Sequence, residues 1–359
     1  MKILVIALSG IGDALLFSPA LAKLRQASPN AQIDMLVMFK GVKDIYKKLP
    51  HVNKIHFYDF LNGSKFKSLF FVLSLRKKYD YTINVYPSNR KEYNLISWLI
   101  GSKYRFAIKY LRSDFQNLGF LNNVRIEEND LLHNVEENFL MIEKLLQEKF
   151  DSIPPLQIEL DGSDYLYAND FFNEEKITKD DLVVGFHPGC NTLKNHDKRR
   201  WDTKKFAELA KIIIHNYDAK ILLFGGKEEE HLKEEIKNLA AHQDVISVNT
   251  FSLTNTAAVM KRCDVFITND SSLMHIAAAL KLSIIAIIGP TNINYIHPWQ
   301  SNYKVASLNL DCAPCFYYSP KPLTCKREDV KFKCIKELSV DLVFEKFEDV
   351  IEENFTRKI

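Results

Sequence analysis

The 359-residue sequence lacks several features that would place it in a specialised class of protein. Its formal net charge of +3 is too small to indicate nucleic-acid binding, although it is compatible with weak attraction to an anionic membrane. The apolar run from Ser68 to Leu75 is less than half of the roughly 20 residues that a membrane span needs. With 47% hydrophobic and 26% charged residues, the composition does not indicate long disorder. With these classes excluded, the sequence indicates a globular protein, and its length favours two domains.

The start of the chain also lacks the character of a signal peptide. Asp13 follows the short apolar run of residues 3–8, where a signal peptide would continue apolar. We interpret this run as a buried strand and expect a cytoplasmic protein. In a reducing cytosol, the six cysteines are more often metal ligands than disulfides.

Short apolar runs alternate with helical patterns in both halves of the chain, which is typical of parallel sheets with helices outside them. The polar stretch 173–176 is interpreted as the boundary between two Rossmann-like domains, residues 1–175 and 176–338, with a cleft between them. Residues 339–359 predict a C-terminal helix that packs back on the first domain. The predicted strands are residues 3–8, 33–38, 54–58, 81–85, 182–186, 220–224, 245–248, 265–268 and 284–288. Helices are predicted at residues 14–27, 68–75, 135–150, 203–215, 228–240, 253–263, 273–280 and 340–353.

The loop after the first strand contains Gly10, Gly12 and Asp13, a layout that dinucleotide-binding folds also use. The G-x-G-x-x-G pattern fails because residue 15 is Leu, and Asp34 stands near the start of the second strand instead of its end. A dehydrogenase is therefore the least favoured interpretation. Asp13 can cap the following helix, or it can accept a proton from a substrate hydroxyl. A tight turn without a further role is the alternative for the glycines.

Two strand ends in the second half carry groups that suit phosphate and ribose. Gly189, in the turn after residues 182–186, lets the backbone approach an anion, and the basic run 198–200 follows it. A solvated basic face is the alternative for that run. An acid at residues 228–230 can complement the helix dipole or hydrogen-bond a ribose diol.

The stretch 265–279 is interpreted as a strand, a polar turn and a helix. The amides of Ser271 and Ser272 at the helix start would bind a diphosphate, whereas Asp270 would cap the helix or contact sugar hydroxyls. His275 is either a structural histidine or a ligand contact. Because no Asp-x-Asp pair occurs, a diphosphate held through a metal on such a pair is disfavoured, and no catalytic metal is expected.

Four cysteines lie in the loop-rich segment 312–334. Cys312 and Cys315 form a Cys-x-x-Cys pair, and Cys325 and Cys334 follow. Four thiolates at such spacing suit a tetrahedral site, so we predict structural zinc or iron, with reduced free thiols as the alternative.

Taken together, these motifs resemble glycosyltransferase family 9, the bacterial heptosyltransferases, over nearly the whole chain. The resemblance implies the GT-B fold of two facing Rossmann-like domains, the first binding the acceptor and the second the nucleotide sugar. It rests on Gly12-Asp13, His187-Pro188-Gly189, Arg199-Arg200-Trp201, Asn269-Asp270-Ser271, Met274-His275 and Gly289-Pro290-Thr291.

The family resemblance implies an inverting transfer of a heptose or related sugar from an ADP-sugar to a cell-surface glycan such as lipopolysaccharide core. Asp13 would be the general base, and Arg199, two residues before Trp201, would stabilise the leaving diphosphate. The family usually has Lys at that position, so neighbouring Lys198 is the alternative, and Ser272 stands where Gly is common. The implied donor-binding residues are Gly12, His187, Gly189, Lys198, Glu229, Asp270, Ser271, Ser272 and His275. Arg90 and Lys91 are candidates for acceptor binding.

The implied partners are an ADP-sugar and a glycan or lipid-linked acceptor, with no nucleic acid. Peripheral association with the inner face of the cytoplasmic membrane is expected. Two alternatives remain open: a transferase that uses another nucleotide sugar or a protein acceptor, and a nucleotide-binding protein without catalysis.

Overall fold

The structure, a computed structural model, describes residues 1–318 and 321–356 and consists of two compact units. The first unit comprises residues 1–159 with Tyr318, and the second comprises residues 160–317 and 321–356. Each unit contains one six-stranded sheet with helices connecting its strands. The predicted α/β class with parallel sheets is confirmed.

The first sheet has the strand order β3-β2-β1-β4-β5-β6, and all its pairs are parallel. Its central strand, KILVIA, is buried at five of six positions, because helices cover both faces of a parallel sheet. The strands are β1 (Lys2–Ala7), β2 (Gln32–Val37), β3 (Lys54–Phe57), β4 (Tyr81–Asn84), β5 (Tyr104–Lys109) and β6 (Val124–Glu127). The helices are α1 (Ile11–Leu15), α2 (Ser18–Ala27), α3 (Lys40–Lys48), α4 (Lys65–Ser74), α5 (Lys91–Ile100) and α6 (Asn134–Leu146), with a 3₁₀ turn at Gly119–Leu121.

The second sheet repeats this topology with the order β12-β11-β10-β7-β8-β9, again parallel throughout. Its strands are β7 (Val183–His187), β8 (Lys220–Leu223), β9 (Val245–Ser247), β10 (Val265–Asn269), β11 (Ser283–Ile287) and β12 (Tyr303–Ala306). Its helices are α7 (Gly162–Glu174), α8 (Thr203–Tyr217), α9 (Glu230–Ala240), α10 (Leu253–Met260), α11 (Ser272–Ala279), α12 (Ile293–Ile296), α13 (Lys333–Lys336) and α14 (Val340–Thr356), with 3₁₀ segments at Leu193–Arg199 and Lys227–Glu229.

In each sheet the strand order reverses at one place, between β1 and β4 in the first and between β7 and β10 in the second. Connections leave in opposite directions there, so a crevice opens beyond the carboxyl ends of the two strands. Ligands of open α/β sheets bind in such crevices. The loops after β1, β4, β7 and β10 are therefore the places to look for a site.

Each of the nine predicted strands overlaps an observed strand, whereas β5, β6 and β12 were not predicted. The helix predicted at residues 14–27 is interrupted, since α1 ends at Leu15 and α2 begins at Ser18. Pro19 accounts for the new start, because proline lacks an N–H group and is tolerated in the first turn of a helix.

The division between the units falls at residue 159, earlier than the boundary predicted near 175. Helix α7 belongs to the second unit because it packs on α10. The Asp164 carboxylate accepts hydrogen bonds from the Thr254 hydroxyl at 2.8 Å and the Asn255 side-chain amide at 3.2 Å. A buried carboxylate with two such partners fixes the helix in place.

The C-terminal helix α14 packs on the sheet of the second unit, and its predicted packing on the first domain stays a prediction. Val343, Phe347 and Val350 are buried in the same cluster as Ile285 and Ile287 of β11. This apolar stripe of α14 is thus covered by the second sheet. Residues 357–359 of the predicted segment lie outside the described residues. None of the helices in residues 1–318 and 321–356 combines the length and apolar character needed to cross a membrane.

Candidate functional site

Asp13 lies in the short helix α1 at the carboxyl end of β1, beside the reversal of strand order in the first sheet. Its Oδ2 accepts a hydrogen bond from the Gly10 N–H at 3.0 Å, so the carboxylate closes the turn at the helix start. The side chain is only partly buried, whereas Gly12 beside it is buried. Asp13 therefore has a structural role at the carboxyl edge of the first sheet and remains accessible from solvent.

The side chains around Asp13 come from the loop after β4 and from α5. Burial raises the pKa of Tyr93 to about 12. The positive charge of Arg90 opposes this rise, and the negative charge of Asp13 adds to it. The Arg90 guanidinium lies 5.8 Å from the centre of the Tyr93 ring, and the Tyr93 hydroxyl donates to the Leu8 carbonyl at 2.6 Å. Lys91, the first residue of α5, is exposed. Tyr93 was not predicted as a site residue, yet it positions the loop that carries Asp13.

In the second unit, His187 is the centre of the candidate site. It ends β7, is 3% exposed, and its two ring nitrogens contact different elements. Nδ1 lies 2.8 Å from the Ser271 hydroxyl, and Nε2 lies 3.2 Å from a Glu229 carboxylate oxygen. Residues at the carboxyl ends of β7, β8 and β10 thus meet at one imidazole. These residues were named in separate motifs of the sequence, and their contact with one another was not predicted.

Glu229 is held at this place by groups from two loops. Its carboxylate also accepts the Gly226 N–H at 3.0 Å, and Arg200 lies 3.9 Å away. Burial alone would raise the pKa of Glu229, but His187, the Gly226 N–H and Arg200 outweigh burial and lower it. A Cβ atom on Gly189 would lie 1.8 Å from Glu229 Oε1. Residue 189 must therefore be glycine if Glu229 is to keep this position.

Arg199 and Lys198 are placed very differently. The Arg199 guanidinium is buried and lies 2.5 Å from the Asp270 carboxylate, which also accepts the Thr291 hydroxyl at 2.7 Å. Lys198 is exposed and pairs with neighbouring Asp197 at 3.1 Å. Of the two basic residues considered as stabilisers of the leaving diphosphate, Arg199 is therefore the one that is buried at the candidate site.

Asn269, which was not among the predicted site residues, connects the turn after β7 with the residues just before α8. Its amide nitrogen donates to the Pro188 carbonyl at 2.7 Å, and its Oδ1 accepts the Trp201 N–H at 3.0 Å. Both bonds are buried, so losing either would leave a polar group unsatisfied. Trp201 itself is core, with its indole N–H donating to the Leu338 carbonyl at 2.9 Å. One side chain thereby sets the spacing between the His187 and Arg199 loops.

Ser271 precedes α11, but its hydroxyl contacts His187 and, at 3.2 Å, Thr268 Oγ1. This hydroxyl makes no capping hydrogen bond to the first turn of α11. The amides at the start of α11, beginning with Ser272, are therefore not satisfied by Ser271. Such amides at a helix N-terminus favour an anionic ligand.

His275, one turn into α11, is buried, and burial lowers its pKa to about 4 despite the opposing effect of Asp270. Because the unfolded state takes up a proton near pH 6.5 and the folded state does not, stability falls as pH drops from 7.5 to 5. The loss from this residue is about 2 kcal/mol. We predict that His275→Gln removes this part of the pH dependence, measured by urea unfolding at both pH values. Equal pH dependence in the variant would contradict the assignment.

The structure does not support the metal site predicted at Cys312, Cys315, Cys325 and Cys334. Within residues 1–318 and 321–356, no group of three or more His, Cys, Asp or Glu side chains is arranged to hold a metal ion. The sulfurs have other contacts, with Arg327 donating to Cys312 at 3.5 Å and the Phe332 N–H to Cys325 at 3.3 Å. Burial, together with the charges of the neighbouring cysteines, raises the pKa of Cys334 to about 11. Residues 319 and 320 of this segment lie outside the described residues.

The comparisons with known proteins agree with this geometry. A family model described as glycosyltransferase family 9 (heptosyltransferase) matches residues 71–324. A lipooligosaccharide heptosyltransferase 2 of Campylobacter jejuni is 28% identical over 98% of this chain and 99% of its own length. The chain is thus similar over its full length to an enzyme of heptose transfer.

Solved structures of the same family share the fold. A family 9 glycosyltransferase from Veillonella parvula matches with a TM-score of 0.76 at 21% identity, covering 98% of this chain and 97% of that one. The ADP-heptose lps heptosyltransferase II of E. coli matches with a TM-score of 0.74 at 22% identity, covering 99% of both chains. The predicted GT-B fold is confirmed. The chain belongs to glycosyltransferase family 9, the heptosyltransferases, and is a glycosyltransferase.

Proposed function

We propose that the protein transfers a heptose from ADP-heptose to an acceptor of the lipopolysaccharide core, with inversion at the anomeric carbon. The observation that carries the proposal is the meeting of His187, Glu229 and Ser271 at the strand-order reversal of the second sheet. A nucleotide fits there because the start of α11 suits phosphate and a carboxylate at a neighbouring strand end suits a ribose diol. The Campylobacter jejuni relative is a heptosyltransferase, and the similar E. coli enzyme is an ADP-heptose heptosyltransferase, which supports the choice of sugar and nucleotide.

In the proposed reaction, the Asp13 carboxylate takes the proton from the acceptor hydroxyl. The hydroxyl oxygen attacks the anomeric carbon, and the carbon–oxygen bond to the diphosphate breaks. The bonding pair leaves with ADP, whose added charge is stabilised by Arg199 and by the N-terminus of α11. One displacement from the opposite side of the ring inverts the anomeric centre.

The acceptor is proposed to bind the first unit, where Arg90 and Lys91 lie at the start of α5 and the charges of Arg90 and Asp13 both act on Tyr93. Their positive charges suit the phosphate and carboxylate groups that decorate core glycans. The protein is proposed to act in the cytoplasm, in peripheral contact with the inner face of the cytoplasmic membrane. That location would bring it to a lipid-linked acceptor.

The proposal is tested by incubating purified protein with a heptose-free core acceptor and, in parallel, ADP-heptose, UDP-glucose or GDP-mannose. Mass spectrometry is expected to show the addition of one heptosyl unit with ADP-heptose alone. The anomeric proton coupling in the product, measured by NMR, is expected to show inversion.

Three outcomes would contradict the proposal in different ways. A product formed only from another nucleotide sugar would overturn the donor. A product with retained configuration would overturn the single displacement. Tight ADP binding, measured by calorimetry, without a product from any donor would favour the non-catalytic alternative.

A further inference from the structure

We infer that the exposed face of α4, with the positive charges around it, is the surface that binds an anionic membrane. The inference deepens the proposed membrane association by naming the residues that make it. It stands on the exposure of α4, its spacing of apolar residues and the charge of the segment around it.

Helix α4 exposes large apolar side chains on one face. Phe66 and Phe70 are 77% and 71% exposed, and Leu69 and Leu73 are 42% and 36% exposed. These four positions follow the spacing i, i+3, i+4 and i+7, which places them on a single stripe of the helix. We call this set the α4 stripe. Two exposed phenylalanines one turn apart on a water-facing helix indicate a surface that is covered in use.

The opposite side of α4 is already occupied by the protein core. Val72 and Leu75, the residue after the helix, are buried in a cluster that also contains Ile100 of α5. Helix α4 is therefore anchored to the first unit by one face, and the α4 stripe lies on the opposite, exposed face. Helix α5, which packs beside α4, also leaves the apolar Leu95 and Trp98 40% and 47% exposed. Tryptophan is enriched where proteins meet the membrane interface.

The segment of the chain that contains α4 carries charges of one sign. Between Asp59 and Asp80 the chain carries no acid but has five basic residues, Lys65, Lys67, Arg76, Lys77 and Lys78. The last two of these lysines, with Lys2 and Lys54, also line a cavity of about 410 Å³ just beyond the C-terminal end of α4, where these four cations outnumber the single acid, Asp34. Positive charge is thus concentrated at both ends of the stripe. The combination of an apolar stripe with flanking lysines is typical of helices that lie in a membrane interface.

This charge pattern selects a membrane over a second copy of the chain. Two copies meeting stripe to stripe would bring their lysines together, and like charges disfavour that contact. An anionic leaflet attracts each basic residue near its surface, while the apolar side chains enter the headgroup boundary. We therefore commit to an anionic lipid surface as the occupant.

The test is a flotation assay with vesicles of phosphatidylcholine alone or with one third phosphatidylglycerol. The full-length protein is expected to float with the anionic vesicles and much less with the neutral ones, and 0.5 M salt is expected to weaken binding because it screens charge. The variant Phe66→Glu/Phe70→Glu is expected to bind at least tenfold more weakly. The matched control Leu166→Glu changes a 62% exposed leucine on α7 and is expected to bind like the original protein.

A second variant, Lys65→Glu/Lys67→Glu, reverses charge without touching the apolar side chains and is expected to lose the preference for anionic vesicles. The inference is overturned if the phenylalanine variant floats like the original protein. It is also overturned if the original protein floats with neither kind of vesicle and instead forms a dimer, whereas the phenylalanine variant is a monomer. Transfer to a water-soluble acceptor is measured separately, so a failure of membrane binding is distinguishable from a failure of the proposed reaction.

Discussion

Replacing Asp13 with Asn is expected to lower the transfer rate by about 10³-fold, the typical contribution of a general base. The amide cannot take the acceptor proton at neutral pH, so the attacking hydroxyl stays protonated. Affinity for ADP is expected to be unchanged, because the proposed nucleotide site is in the second unit. Single-turnover transfer with ADP-heptose and calorimetry with ADP measure the two effects separately.

The substitution is informative because the asparagine oxygen can still accept the Gly10 N–H bond that the carboxylate accepts at 3.0 Å. The turn at the start of α1 should therefore remain closed, and the melting temperature should change little. Asp44→Asn on α3 is a control for removal of a carboxylate elsewhere in the first unit. Turnover by Asp13→Asn at the rate of the control would refute the role of Asp13 as base.

Replacing Arg199 with Met is expected to reduce both stability and ADP affinity, whereas Lys198→Met should change neither appreciably. Removal of Arg199 leaves the buried Asp270 carboxylate without its cation, which costs about 3–5 kcal/mol for a buried pair. Lys198 is 52% exposed, and an exposed pair such as its contact with Asp197 contributes about 0–1 kcal/mol. Urea unfolding gives the first effect and calorimetry with ADP the second.

The double variant Arg199→Met/Asp270→Asn separates the two roles of Arg199. Removing the carboxylate charge as well is expected to restore much of the stability, because no uncompensated charge stays buried. ADP affinity and transfer should stay low, since the diphosphate has still lost its guanidinium. If the double variant bound ADP normally, Arg199 would be a structural residue only, and Lys198→Met would have to be examined as the alternative.

The strands were predictable because parallel strands covered on both faces are short runs of β-branched and apolar residues bounded by polar turns. β5, β6 and β12 escaped this reasoning because charged residues interrupt or shorten their apolar runs, as in YRFAIK, VRIE and YKVA. The first two end the first sheet on one side, and β12 ends the second sheet. Strands towards the side of a sheet are less completely covered, so their sequences are weaker signals.

Which residues meet at the site was harder to predict than which residues belong to it. The motifs at the ends of β7 and β10 contain His187 and Ser271, but the hydrogen bond between these residues, which lie 84 positions apart, depends on the register of the two strands. Lys198 and Arg199 are adjacent, and only the path of the 3₁₀ segment decides which one is buried. Asn269 gave no signal as a connector, because its two partners are backbone groups of any residue type.

The cysteine spacing predicted a metal site that the structure does not support, although the four cysteines lie near enough to affect one another's pKa values. Ligand spacing is a necessary condition for a metal site, but the positions of the sulfurs depend on the loop between them. Cys334 is drawn into the core of the second unit beside α14, while Cys312 and Cys315 stay exposed. The burial of one cysteine beside exposed ones depends on tertiary packing, which the spacing of cysteines in the sequence does not describe.

Because Gly189 lies so close to Glu229, the residue type at one of these positions restricts the residue type at the other. An alanine at residue 189 would force the Glu229 carboxylate out of its observed position, and a chain that loses the glutamate no longer needs glycine there. The two positions should therefore change together along the lineages of the family. A chain that keeps glycine at residue 189 while its acid has become a small residue would carry an empty space at the nucleotide end of the sheet, where a bulkier base or sugar could enter.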